Sequence, residues 1–253
     1  MKKKEENLFV WYISELIFGI LGLFLIWLGE LPWSIFLQWG NPGVDFSLGT
    51  LVAVLNIGIL SGMAKLFPDL FSKLNDEKAR SRSRFFIQLN YVHLFALMAL
   101  VGIAEEIFFR AAFQSILIMV LPSVPLAIVV ASAFFSLAHM NNIRKPFALV
   151  SVFIVGLTLG WLFWFTGNLW AAAWSHFLYD IALILGSKWA YKRDPSFLQG
   201  EDEAIHDPIP TEARERDKER EGERKIWESQ WVRFLLGFLV GLVVILLIFF
   251  LKG

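Results

Sequence analysis

From Leu94 to Leu121 the chain is apolar for long enough to cross a bilayer, yet the middle of that run reads Glu105-Glu106-Ile107-Phe108-Phe109-Arg110. At 1.5 Å per residue, about 20 helical residues cover ~30 Å of hydrocarbon with every backbone group paired internally. Ionisable side chains at the centre of such a helix are costly, roughly 2.5–3.5 kcal/mol for one Asp, Lys or Arg. Glu105, Glu106 and Arg110 must therefore turn toward other helices or a wet cavity, which makes them the default functional site.

The rest of the composition agrees. Hydrophobic residues make up 57% and aromatic residues 16% of 253, and the mean hydropathy is +0.58. A soluble domain is nearer half apolar, so the expected class is an all-α, polytopic membrane protein. A net charge of +0 gives no basic excess to attract nucleic acid. The absence of cysteine removes disulfides and thiolate chemistry.

Taken in order, a basic start (Lys2 to Lys4) leads into an apolar run from Leu8 to Leu28. This run is longer than a signal-peptide core and lacks a small-x-small cleavage site, so it reads as a retained span. A second run covers Leu48 to Phe67. The basic stretch Lys73 to Arg84 continues into a candidate interfacial helix before the third span, Leu94 to Leu121. Pro122 and Pro125 break the chain ahead of a fourth segment ending at His139. Arg144 and Lys145 mark a turn. A fifth run, Phe147 to Phe165, carries Gly156 and Gly160 four apart, a spacing that allows close helix approach. The sixth covers Leu169 to Leu185 and a seventh Val232 to Leu251, separated by a charged connector. The expected organisation is 1–84, N-terminal spans with a basic loop; 85–187, a helical core; 188–231, the connector; and 232–253, a last helix. About seven spans result, four of them in the core.

Orientation follows from charge. Of 23 Lys and Arg, 21 fall on one side of this topology, Lys252 falls on the other, and Arg110 is within the membrane. The positive-inside rule then places the amino terminus and connector in the cytoplasm and the carboxyl terminus outside, in a multi-pass protein of the cell membrane. Trp27, Trp33, Trp39, Trp161, Trp164 and Trp170 gather on the outer side, as an aromatic belt does; Trp189, Trp227 and Trp231 mark the inner face.

Two further membrane runs carry titratable groups: His139 in FFSLAHM, and His176 with Asp180 in WSHFLYD. His176 and Asp180 share one helix face, as do Glu106 and Arg110, whereas Glu105 is rotated about a quarter-turn from Glu106. Counting rise from the cytoplasmic side puts Glu105 and His176 each ~16 Å deep, Asp180 ~10 Å deep and His139 at the boundary. Each piece has a plain structural reading: an intrahelical ion pair, an interfacial histidine, a helix-bridging hydrogen bond. Their coincidence on three helices favours a shared site, while the phenylalanines around them read as packing.

The three pieces match EExxxR (Glu105 to Arg110), FxxxH (Phe135 to His139) and HxxxN/D (His176 to Asp180), in order. This pattern resembles the CPBP family of intramembrane proteases, which contains the Rce1-like, type II CAAX prenyl endopeptidases. The resemblance spans roughly Phe85 to Leu185. It implies a glutamate-type endopeptidase in which Glu105 and His139 activate a water, His176 and Asp180 stabilise the oxyanion, and Glu106 and Arg110 shape the site. An ionised Asp cannot donate a hydrogen bond, so Asp180 is expected to act by orienting His176. No cofactor is required, although Glu105, His139, His176 and Asp180 form an N/O set able to hold zinc or iron. A proton or ion pathway, or a non-catalytic immunity or scaffold protein, are the alternatives from other classes. The implied partners are membrane lipids and a peptide or lipidated-peptide substrate, with no nucleic acid; oligomeric state is not legible.

Overall fold

A computed structural model of the protein describes residues 2–34, 40–72, 77–139 and 146–194. The Arg144–Lys145 turn, Trp39, the connector beyond Asp194 with Trp227 and Trp231, and the seventh span lie outside the described residues. Within them the chain is a multi-pass, all-helical membrane protein. Its elements are α1 (Lys2–Leu28), α2 (Pro42–Leu66), α3 (Pro68–Ser72), α4 (Glu77–Gln88), α5 (Tyr91–Glu106), a π-helical segment (Ile107–Gln114), α6 (Ser115–Val120), α7 (Val124–Ala138), α8 (Pro146–Thr166) and α9 (Leu169–Arg193). Five stretches are long and apolar enough to cross a membrane: Leu8–Leu28, Pro42–Leu66, Tyr91–Val120, Phe147–Thr166 and Leu169–Arg193.

Helix starts are set by local chemistry. Asn41 caps α2 by accepting from the Gly43 and Val44 amides, with Pro42 in the first turn, where its missing N–H is harmless. Asn90 accepts from the His93 amide at α5, and Ser123 from the Leu126 amide at α7. Gly167, at φ 67°, turns the chain between α8 and α9, and Asn168 then caps α9.

Packing divides the buried interior into two apolar clusters. One joins α1 to the π segment, α6 and α7 through Phe18, Ile26, Phe108, Phe113 and Ile116. The other joins α1, α4, α5 and α9 through Trp11, Phe85, Leu94, Leu97 and Ile181. Val101 belongs to the second cluster and Phe108 to the first. Glu105 and Glu106 therefore lie on α5 between two apolar layers that seal them above and below.

Polar ties hold α9 at both ends. Near its start, Asn168 Nδ2 donates to Asp45 Oδ2 of α2 at 3.0 Å. Near its end, Lys188 Nζ donates to the Ile87 and Leu89 carbonyls, at 2.7 and 2.8 Å, where α4 stops. Large apolar side chains such as Ile20, Leu51, Val54 and Phe165 are exposed. Hydrocarbon solvates them, so their exposure needs no partner protein.

α7 is shorter than the other crossings: its 15 residues rise only about 22 Å. His139 caps this short helix, and its Nε2 lies 3.0 Å from Glu105 Oε2.

Candidate active site

α5 ends on Glu105 and Glu106, and the chain then widens into a π turn through Gln114. Such π segments are rare and cluster at functional positions. Here the widened turn frees the Arg110 carbonyl, which accepts from Ser115 Oγ at 3.2 Å. No feature of IFFRAAFQ announces this; the segment contains neither Pro nor Gly.

The site has six ionisable members, and all six sequence-derived candidates lie in it. Glu105 and Glu106 are both 0% exposed. Arg110 Nε lies 3.1 Å from Glu106 Oε2, and Glu106 Oε1 lies 2.9 Å from His176 Nδ1. Glu106 is thus gripped between a guanidinium and an imidazole. On the other side, Glu105 Oε2 is 3.0 Å from His139 Nε2 and 4.0 Å from His176 Nε2. Asp180 Oδ2 is 3.6 Å from the same His176 nitrogen.

Proton positions follow from the partners. His139 Nδ1 lies 2.8 Å from the Phe135 carbonyl oxygen, which can only accept, so Nδ1 carries hydrogen. The contact between His139 Nε2 and Glu105 consequently holds a single shared proton. His176 Nδ1 donates to Glu106, which leaves Nε2 facing the gap between Glu105 and Asp180. The closest group orienting His176 is Glu106, with Asp180 farther off on the opposite ring edge.

Phe135, the first residue of the FxxxH match, lies at the centre of the cluster. Its ring lies 4.3 Å below the Arg110 guanidinium carbon and 4.4 Å from the His139 ring, with the His176 ring at 5.8 Å. A desolvated cation over an aromatic face is worth ~2 kcal/mol, so the ring helps keep Arg110 on Glu106. From α8, the Gly156 carbonyl accepts from Arg110 Nη2 at 3.4 Å and the Gly160 carbonyl from Gln114 Nε2 at 3.0 Å. A Cβ at Gly160 would stand 2.7 Å from Gln114 Oε1, and one at Gly156 would stand 3.1 Å from Ser132 Cβ. The glycine spacing brings bare backbone carbonyls up to the π segment.

Other buried polar groups went unread: Glu15 in α1, Asp45 and Asn56 in α2, Gln114 in the π segment and Lys188 in α9. A polar residue inside an apolar run was the signal available for each. Among the described residues no group of three or more His, Asp or Glu side chains has a metal-ligating arrangement.

Fold and site together define a multi-pass membrane protein with a carboxylate–imidazole centre built from α5, the π segment, the end of α7 and α9. Residues 87–182 match the model of the family described as Rce1-like, type II CAAX prenyl endopeptidase Rce1-like. The matched segment contains all six members of the site. The chain is also 28% identical over 144 residues to the uncharacterized protein YpbD of Bacillus subtilis (strain 168), a match covering 56% of this chain and 69% of that protein. No solved structure matches the chain.

Proposed function

We propose that the chain is a glutamate-type intramembrane endopeptidase of the CAAX/CPBP kind, hydrolysing a peptide bond of a membrane-associated substrate. The observation that carries this reading is the position of the buried Glu105 Oε2, 3.0 Å from one imidazole and 4.0 Å from another. The family match supports the hydrolase class.

In this reading a water enters between Glu105 and His139, which already share one proton and take another as the water attacks the substrate carbonyl. The tetrahedral oxyanion is met by hydrogen on Nε2 of a His176 imidazolium whose Nδ1 hydrogen stays hydrogen-bonded to Glu106, and the water's proton is returned to the leaving amine. Glu106, held by Arg110, fixes the His176 ring through Nδ1, and Asp180 orients its other edge. No cofactor is needed.

The proposed division is a catalytic core at 85–187, preceded by N-terminal spans and a basic loop at 1–84 and followed by a cytoplasmic connector at 188–231 and a last span at 232–253. The charge distribution supports a cell-membrane protein with its amino terminus in the cytoplasm and its carboxyl terminus outside. Substrates are peptides or lipidated peptides reaching the site from the bilayer or the cytosol. Cleavage of a membrane-embedded model peptide by purified protein in vesicles tests the function. Glu105→Ala and His139→Ala should each abolish it in folded protein; full activity in either variant refutes the water-activation assignment.

A further inference from the structure

The π segment docks on α8 through two side chains that are spaced alike on both partners. Arg110 Nη2 donates to the Gly156 carbonyl at 3.4 Å, and Gln114 Nε2 to the Gly160 carbonyl at 3.0 Å. Donors and acceptors are each four residues apart, so the two bonds follow one another as rungs between helices running in the same direction. Arg110 belongs to the charged cluster through Glu106. Gln114 lies one rung beyond it and carries no charge.

Packing alone does not account for Gln114. The side chain is fully buried, and its Oε1 has no hydrogen-bond partner among the described residues. A carbonyl can only accept, so Nε2 must face Gly160, and the acceptor on the other branch is left unspent at a cost of ~1–3 kcal/mol. An apolar side chain of the same length would fill the space without that cost. α8 meets the amide with bare backbone: a Cβ at Gly160 would stand 2.7 Å from Gln114 Oε1 and 2.9 Å from Ile128 Cγ2. A helical carbonyl has a second lone pair, so Gly160 can take this donor and lose nothing essential when it is removed.

Gln114 is the last residue of the π segment. A π turn holds more residues than an α turn, so a return to the α register would rotate the far end of the segment relative to its start and carry Gln114 off the Gly160 carbonyl. At the near end Arg110 stands 4.3 Å over the Phe135 ring and 3.1 Å from Glu106 Oε2, while Glu106 Oε1 lies 2.9 Å from His176 Nδ1. We propose that Gln114 is a positioning residue, whose bond to the Gly160 carbonyl holds the π segment on α8 and so, through Arg110 and Glu106, fixes the His176 ring for the reaction. This rests on the endopeptidase reading above.

The test compares the unmodified full chain with Gln114→Met, which keeps the side-chain length without the donor, and with Gln114→Asn, which is one methylene shorter. Asn56→Leu is the control: it removes a bond to Thr158 Oγ1 that ties α2 to α8 and involves no member of the cluster. Each protein is read in vesicles for its thermal midpoint, for kcat and KM on one membrane peptide, and for the NMR shifts of the His176 ring nitrogens, assigned by their loss in His176→Asn.

The expected result for both Gln114 variants is a fall in kcat of about ten- to hundredfold, with KM within about twofold and a changed His176 Nδ1 shift. Asn56→Leu should keep the unmodified kcat and shift. Unmodified kcat in both Gln114 variants overturns the proposal and leaves the endopeptidase standing. So does a rise in KM alone, or an equal fall in kcat in Asn56→Leu. Loss of the folded state in both Gln114 variants assigns the residue to the core and also overturns it. Failure of the unmodified chain to cleave any membrane peptide overturns the endopeptidase reading; the His176 shift then decides the role of Gln114, and an unchanged shift overturns that as well.

Discussion

Glu105 and Glu106 are neighbours in sequence, equally buried, and differ in almost everything else. Glu106 has both oxygens committed, one to Arg110 and one to His176, and Arg110 is itself held by the Phe135 ring and the Gly156 carbonyl. Glu105 faces two imidazoles, and the cluster is open at its edges, where the His139 and Asp180 side chains are 25% and 24% exposed. A quarter-turn of helix separates a carboxylate whose surroundings are saturated from one whose surroundings can admit a reactant. Burial is the same for both; what differs is the kind of partner, a guanidinium and an imidazole for Glu106 and two imidazoles for Glu105.

That contrast yields a ranked set of expected outcomes. The largest belongs to the open half: Glu105→Gln should lower peptide cleavage by a hundredfold to ten-thousandfold, the usual worth of a positioned general base, with little change in thermal midpoint. The closed half should respond in stability. Arg110→Met leaves the Glu106 charge buried with one partner fewer, a loss of about 3–5 kcal/mol that denaturant or thermal unfolding in detergent will register. Phe135→Leu keeps the volume but removes the aromatic face, and should cost ~2 kcal/mol together with part of the activity. Asp180→Asn sits at the open edge and should change kcat about tenfold or less, because Glu106 still orients His176. The smallest expected effect is that of a strong chelator, which should leave cleavage unchanged; loss with rescue by zinc would replace the water-activation scheme by a metal one.

The fold was legible where length and hydropathy decide it. The Leu8–Leu28 run is a candidate span with the same bounds in sequence and structure, inside a helix that starts at Lys2, and the third, fifth and sixth runs agree within a few residues at most ends. The exception is the C-terminal end of α9, which extends past the expected Leu185 to Arg193 because Lys188 buries its ammonium on the carbonyls of Ile87 and Leu89 instead of entering solvent. Of the site, the charged members were legible because ionisable groups stand out in an apolar run. The FxxxH match marked Phe135, but its stacking under Arg110 was not legible, because nothing in the local sequence signals a guanidinium on its face. The π turn was hidden as well. Its extra residue is stabilised by tertiary partners, namely the Gly156 carbonyl for Arg110 and the Gly160 carbonyl for Gln114, which lie outside the local sequence.

The most direct measurement compares Glu105→Gln and Glu106→Gln in one preparation, reading both peptide hydrolysis in vesicles and the thermal midpoint. The account predicts that the first variant keeps its midpoint and loses hydrolysis. It predicts that the second unfolds at markedly lower temperature, because Arg110 is left facing a neutral amide. Hydrolysis at the unmodified rate by Glu105→Gln would contradict the account.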